Sequence, residues 1–178
     1  MSGNIKTPRN AKLSFYEAIA ALLEDASTFG TAYNVYYEDD LRNKVEPVRP
    51  WVYLLDAGIP LKLDYLPAIA IWFQPSLRLF QAGGDPIWHV NVSCDVFGAN
   101  RGEREDIAAA IAEGLYDEFT VYDYSASTAS SWGTASIYDG PQGEYWNVIY
   151  ESVGDPLMVE GTLLNWASCS SQFWVMPT

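Results

Sequence analysis

The chain has 178 residues, 49% of them hydrophobic and 15% aromatic, a composition that excludes intrinsic disorder and can bury a core without disulfides or metals. Its formal net charge of -13 repels phosphates, and its 10 Lys and Arg residues are spread thinly rather than gathered into a stripe, so gripping of nucleic acid is excluded. A polar N-terminus without an apolar leader, and apolar runs too short for a bilayer, predict a protein made in the cytoplasm with no membrane partner.

Residues 1–12 read as a polar arm. Ser14 with Glu17 has the form of a capping box and predicts a helix whose apolar stripe is Ile19, Leu22, Leu23 and Ala26, ending near Thr28 to Gly30. Thr31 to Tyr37 is rich in strand formers, whereas the following EDDLRNKVEPVRP, with Pro47 and Pro50, predicts an irregular polar loop. Trp51 to Leu55 predicts a second strand. Ala68 to Phe73 and Leu77 to Ala82 predict two short strands separated by Gln74-Pro75-Ser76, and the turn Gly83-Gly84-Asp85-Pro86 leads into a long strand from Ile87.

Within that strand Val90, Val92, Cys94 and Val96 share one face, and His89, Asn91, Ser93 and Asp95 the other. The period then changes. Ile107, Ala110, Ile111, Gly114 and Leu115 share a helical stripe between Asn100 and Tyr116, opened by Asn100 as cap and Glu103 as its capping-box partner. Glu118 to Tyr124 predicts a strand, Ser125 to Ser136 a small-residue loop, and Tyr145 to Ser152 and Gly161 to Met176 further strands joined at Val153-Gly154-Asp155-Pro156. No strand-helix alternation demands a parallel sheet. The expectation is an α+β fold: an antiparallel β-meander sheet with two helices packed on it, plus an extra C-terminal β-hairpin region. Its divisions are an arm at 1–12, an α+β domain at 13–124, and a loop and β extension of the same domain at 125–178.

Chemistry-bearing patterns are sparse. His89 is the sole histidine, no serine stands in a GxSxG elbow, and neither Cys94 nor Cys169 has an electropositive, helix-capping setting, so no catalytic residue is expected. The cysteines read as buried thiols in preference to a disulfide. Glu38-Asp39-Asp40 could hold a divalent cation, but three adjacent carboxylates are ordinarily solvated and EF-hand spacing is absent, so neither metal nor cofactor is expected. Arg101, Glu103, Arg104, Glu105 and Asp106 admit two uses, service to the helix dipole or a subunit contact. Trp132, alone among small polar residues, suits an interface or a folding role.

CDVFGANRGEREDIAAAIAEGL (Cys94 to Leu115) resembles the tail-terminator and head-to-tail joining proteins of long-tailed bacteriophages: a strand ending in Asp-Val-Phe, an Asn-x-Gly-Glu cap, then an alanine-rich helix. The preceding elements match in order, and the likeness spans residues 12 to 124; the last third, rich in Ser, Tyr and Trp, departs from the minimal family pattern. The resemblance implies a virion protein that assembles as a ring, a hexamer, caps the tail tube and joins it to the neck or connector protein, while DNA passes through the lumen without specific binding. The arm at 1–12, the loop at 38–50 and residues 125–136 are the expected contacts with neighbours. Glu38, Asp39, Asp40, Arg101, Glu103, Arg104 and Trp132 are the candidate interface residues. A stopper or adaptor of the same virion, an aromatic-rich carbohydrate-binding β module and a small hydrolase using His89 are the alternatives.

Overall fold

A computed structural model of the chain describes residues 7–30, 32–78, 87–116, 118–124, 130–137, 146–150, 158–159, 162–163 and 165–177. It is a mixed fold in which one curled sheet wraps two helices. Helix α1 (Thr7–Glu24) is followed by the short α2 (Ala26–Phe29), which Asp25 caps by accepting from Ser27 N at 2.8 Å. Strand β1 (Asn34–Tyr37), the short helix α3 (Glu38–Arg42) and β2 (Trp51–Asp56) come next, then β3 (Ala68–Arg78), β4 (Ile87–Gly98) and helix α4 (Arg101–Gly114). The remainder is β5 (Glu118–Asp123), β6 (Ser130–Ile137), β7 (Asn147–Tyr150), the paired β8 (Met158–Val159) and β9 (Thr162–Leu163), and the long β10 (Asn165–Pro177).

The main sheet runs β1-β2-β3-β4-β10-β6-β5, with β7 also beside β10. The antiparallel meander is corrected at its start: β1 pairs β2 in parallel, and β2 pairs β3 in parallel. Parallel neighbours need a crossover of about a dozen residues, and the segments 38–50 and 57–67 between these strands are long enough to supply one. The supposed C-terminal extension is corrected too. β10 lies in the middle of the sheet, paired along its length with β4 and on its other side with β7 and then β6.

Other expectations shift for local reasons. α1 begins at Thr7, before the expected cap, with Pro8 in its first turn where a missing N–H costs nothing. Ser14 is interior to that helix: its hydroxyl donates to Asn10 O (2.8 Å) and accepts from Tyr122 N of β5 (2.9 Å). Residues 1–6 lie outside the described residues. The 38–50 segment is not all loop, since α3 opens it. Gln74-Pro75-Ser76 does not split β3, because β2 pairs only Ala68 to Ile71 and the strand beyond is an edge, where proline is tolerated. Of the loop expected at 125–136, residues 130–136 belong to β6; the turns at Gly83 and Val153 lie outside the described residues.

Packing explains the curl. α1 touches β1 and β5, which stand at opposite ends of the sheet order, and also α4. Phe15, fully buried, meets Phe73, Phe119, Phe173 and Trp146 at ring-centroid distances of 5.9, 5.5, 6.2 and 6.4 Å, so one side chain ties β3, β5 and β10 together. Ile19 and Leu23 are buried as expected, whereas Ala26 falls in α2 and is exposed. Val90, Val92, Cys94 and Val96 all face this core with Ile107, Ile111 and Leu115 of α4. On the opposite face, a smaller cluster of Tyr53, Leu55 and Ala68, with Trp51, Tyr36 and Leu41 packed on it, covers only the β1–β3 end.

Candidate interaction site

The α4 N-terminus shows what the mixed-sign patch does. Asn100 Oδ1 accepts from Glu103 N (2.9 Å), and Glu103 Oε2 accepts from Ala99 N (2.9 Å), so the capping pair forms and reaches one residue further back than expected. Arg104 is 4% exposed. Its guanidinium donates to Trp166 O of β10 (3.2 Å) and to Glu105 Oε1 (2.9 Å), and lies 5.2 Å from the Tyr150 ring centroid of β7. Arg104 thus fastens α4 to its own sheet, and Glu103 serves the cap. Arg101 remains exposed and pairs with Glu105 at 2.9 Å. Close approach makes this junction possible: a Cβ on Gly98 would lie 2.6 Å from Asn100 O and 2.7 Å from Arg104 N.

Glu38, Asp39 and Asp40 form the first turn of α3, where carboxylates favour the helix dipole. Asp40 accepts from Tyr37 N (2.7 Å) and Glu38 pairs with Arg42. Among the described residues no group of three acidic, His or Cys side chains could hold a metal ion. The helix ends in a Schellman arrangement: Lys44 is left-handed (φ 54), its N–H donates to Leu41 O (3.2 Å), and Val45 N donates to Asp40 O (2.9 Å). Such a motif ordinarily packs its last hydrophobic residue on the preceding turn, but here that turn carries Asp39 and Asp40, and Val45 is left 42% exposed. Val48 is 63% exposed, although its backbone is pinned on both sides, its N–H donating to the Tyr36 hydroxyl (3.0 Å) and its carbonyl accepting from Asn34 Nδ2 (3.0 Å). The loop is thus fixed in shape while showing two valines to solvent, a signal that composition alone, reading it as polar, did not give.

A second surface is the face of β3, β4, β10 and β7 turned away from α1 and α4. The strand register lays Trp72, Ser93, Ser170 and Asn147 in one row, Gln74, Asn91 and Gln172 in the next, and Ser76, His89 and Trp174 in a third. His89 is buried within it, with Nε2 3.2 Å from Gln172 Oε1 and its ring 4.9 Å from that of Trp174. Trp132 lies in β6, and its side chain falls outside the described residues.

No known family model and no curated protein matches the chain significantly. Its surfaces must speak through their own chemistry. One further polar group bridges α1 to the sheet: Asp56, at the end of β2, accepts from Lys12 (2.8 Å) and from the Tyr16 hydroxyl. Burial works to raise its carboxyl, and the bonds from Lys12 and Tyr16 outweigh that and hold it below the ordinary value. Burial, then Asp56, pushes the Tyr16 phenol up. Cys94 and Cys169 are free and stand opposite one another in the β4–β10 ladder. Burial drives both thiols up, Cys169 to about 12, which leaves them protonated and unreactive. No helix among the described residues is long and apolar enough to cross a membrane.

Proposed function

We propose that this chain is a bacteriophage virion protein, a tail terminator or neck component, that assembles as a hexameric ring capping the tail tube and joining it to the connector. The observation that supports this reading most is the loop at 38–50, whose backbone is held by the Schellman motif and by Asn34 and Tyr36 while Val45 and Val48 face outward. Ordering a loop before it binds removes the entropic cost from association, and exposed apolar side chains on a fixed loop suit a permanent contact. The finer fold expectation, a sheet with helices on one face in the order of the joining proteins, is compatible with α1 and α4 sharing the core face. The net charge of -13 suits a lumen through which DNA slides without adhering.

The test is the double variant Val45→Asp and Val48→Asp. Wild-type protein, imaged alone and mixed with tail tubes of the same virus, is expected to form annular particles or to cap tube ends. The variant, with unchanged melting temperature, is expected to do neither. Wild-type protein that leaves tube ends bare, or a variant that caps them as well as wild type, overturns the proposal.

A further inference from the structure

We propose that the face of β3, β4, β10 and β7 turned away from the two helices is a binding site for a neutral oligosaccharide. This inference does not rest on the ring assembly, since the loop valines lie beyond β1 at one margin of the sheet and this face lies across its middle.

A sheet with one solvated face ordinarily carries polar side chains there, so polarity alone decides nothing. The departure is Trp72, 50% exposed, with Ser93 and Ser170 in its own row and Gln74 and Asn91 in the next. An indole half exposed among hydroxyls and amides leaves a flat apolar surface in water, and that surface fits the C–H face of a pyranose ring. The surrounding groups suit the rest of such a ligand. Serine hydroxyls and Asn and Gln amides both donate and accept, as sugar hydroxyls do.

Charge narrows the class. In a chain of net charge -13, the only carboxylate among the described side chains of this face is Asp95, and it lies beyond the Trp72 row. Among the described side chains, none in the rows from Trp72 to Trp174 offers a fixed charge to a phosphate, a sulfated glycan or a basic peptide. The face is also preformed. Ser93 Oγ and Ser168 Oγ lie 3.3 Å apart, Ser76 Oγ donates to His89 O (3.2 Å), and Gln172 and Trp174 hold the His89 ring. From strand rise and spacing, Trp72 and Trp174 lie roughly 17 Å apart on the diagonal, a span for a chain of sugars and not a single unit.

The experiment is a tryptophan-fluorescence titration with maltohexaose, cellohexaose and N-acetylchitohexaose, backed by an array of neutral and acidic glycans. At least one neutral glycan is expected to shift the emission saturably. Trp72→Ala is expected to weaken it by about tenfold, the loss of one stacked aromatic, and Asn91→Ala by a smaller factor, both with the wild-type melting temperature. Should Trp72→Ala disturb the fold, Asn91→Ala and Gln74→Ala carry the test. Absence of binding to every neutral glycan, preference for acidic ones, or binding indifferent to these substitutions overturns the proposal.

Discussion

Phe15→Ala asks whether α1 is truly the element around which the sheet closes. Phe15 is fully buried and its ring meets aromatic partners from β3, β5 and β10 and from Trp146. Removing the ring forfeits a transfer term of about 2–3 kcal/mol. A ring-sized void of roughly 80 Å³, at ~24 cal/mol per Å³, adds about 2 kcal/mol where the walls cannot collapse, and these walls are held by three different strands. The sum, about 4–5 kcal/mol, corresponds to a fall in Tm of about 8–20 °C for a chain of this size. Urea unfolding followed by circular dichroism should show a lower midpoint with an unchanged slope. Leu13→Ala, on the exposed side of the same helix, should cost less than about 0.5 kcal/mol. A loss at Phe15 below about 1.5 kcal/mol would refute the reasoning, because it would mean that α1 is not seated within the curl.

Gly98→Ala should destabilise by about 1–3 kcal/mol or more, because the new methyl meets backbone of Asn100 and Arg104, whereas Gly102→Ala, where a Cβ comes no nearer than 3.5 Å to Asn100 Oδ1, should be neutral or slightly stabilising; chemical denaturation of the pair checks this. Burial, then the charge of Glu103, pushes Tyr33 up to about 12, and burial, then the bond to Glu17, does the same for Tyr124. The folded state keeps these protons after the unfolded chain has lost them near pH 10, so their stabilising share is whole below pH 10 and is lost as pH rises toward 12. The urea midpoint should fall across that window, less so in the variant carrying Tyr33→Phe and Tyr124→Phe; equal slopes for the two proteins would contradict it. Native protein at pH 8 should resist a thiol-disulfide reagent and release two equivalents of thiol on unfolding, since Cys94 and Cys169 are both buried and free; rapid labelling of the folded state would show that β4 and β10 part readily.

What could be read in advance was local. The β4–α4 unit announced itself because a period of two gives way to one of 3.6, and the residues that alternate along β4 are those that are buried. Asn100 and Glu103 were legible as a cap for the same reason: the capping bonds span a few residues. Ser14 misled because its hydroxyl serves Tyr122, distant in sequence, and not its own helix end. The parallel pairing of β1, β2 and β3 leaves no periodic mark, since alternation says which face a residue takes and nothing about which strand lies beside it. Arg104 looked like a surface charge because its helix turn is polar; Trp166 O and the Tyr150 ring, brought in by β10 and β7, lie over it in the fold, where it is buried. The row of Trp72, Ser93, Ser170 and Asn147 draws on four strands far apart in the sequence, so no window along the chain contains it.

The position of β10 has a consequence for synthesis. Every other described element leaves the ribosome before it, so the nascent chain carries β4 with a neighbour on one side only, its other edge unpaired, and β5 with β6 sharing no ladder with the rest. Until Asn165–Pro177 arrives and is threaded between them, the two halves share no ladder. A translation stop between β6 and that strand therefore yields two fragments of sheet with unpaired edges, prone to clump or be degraded, and not a slightly shortened version of the same protein.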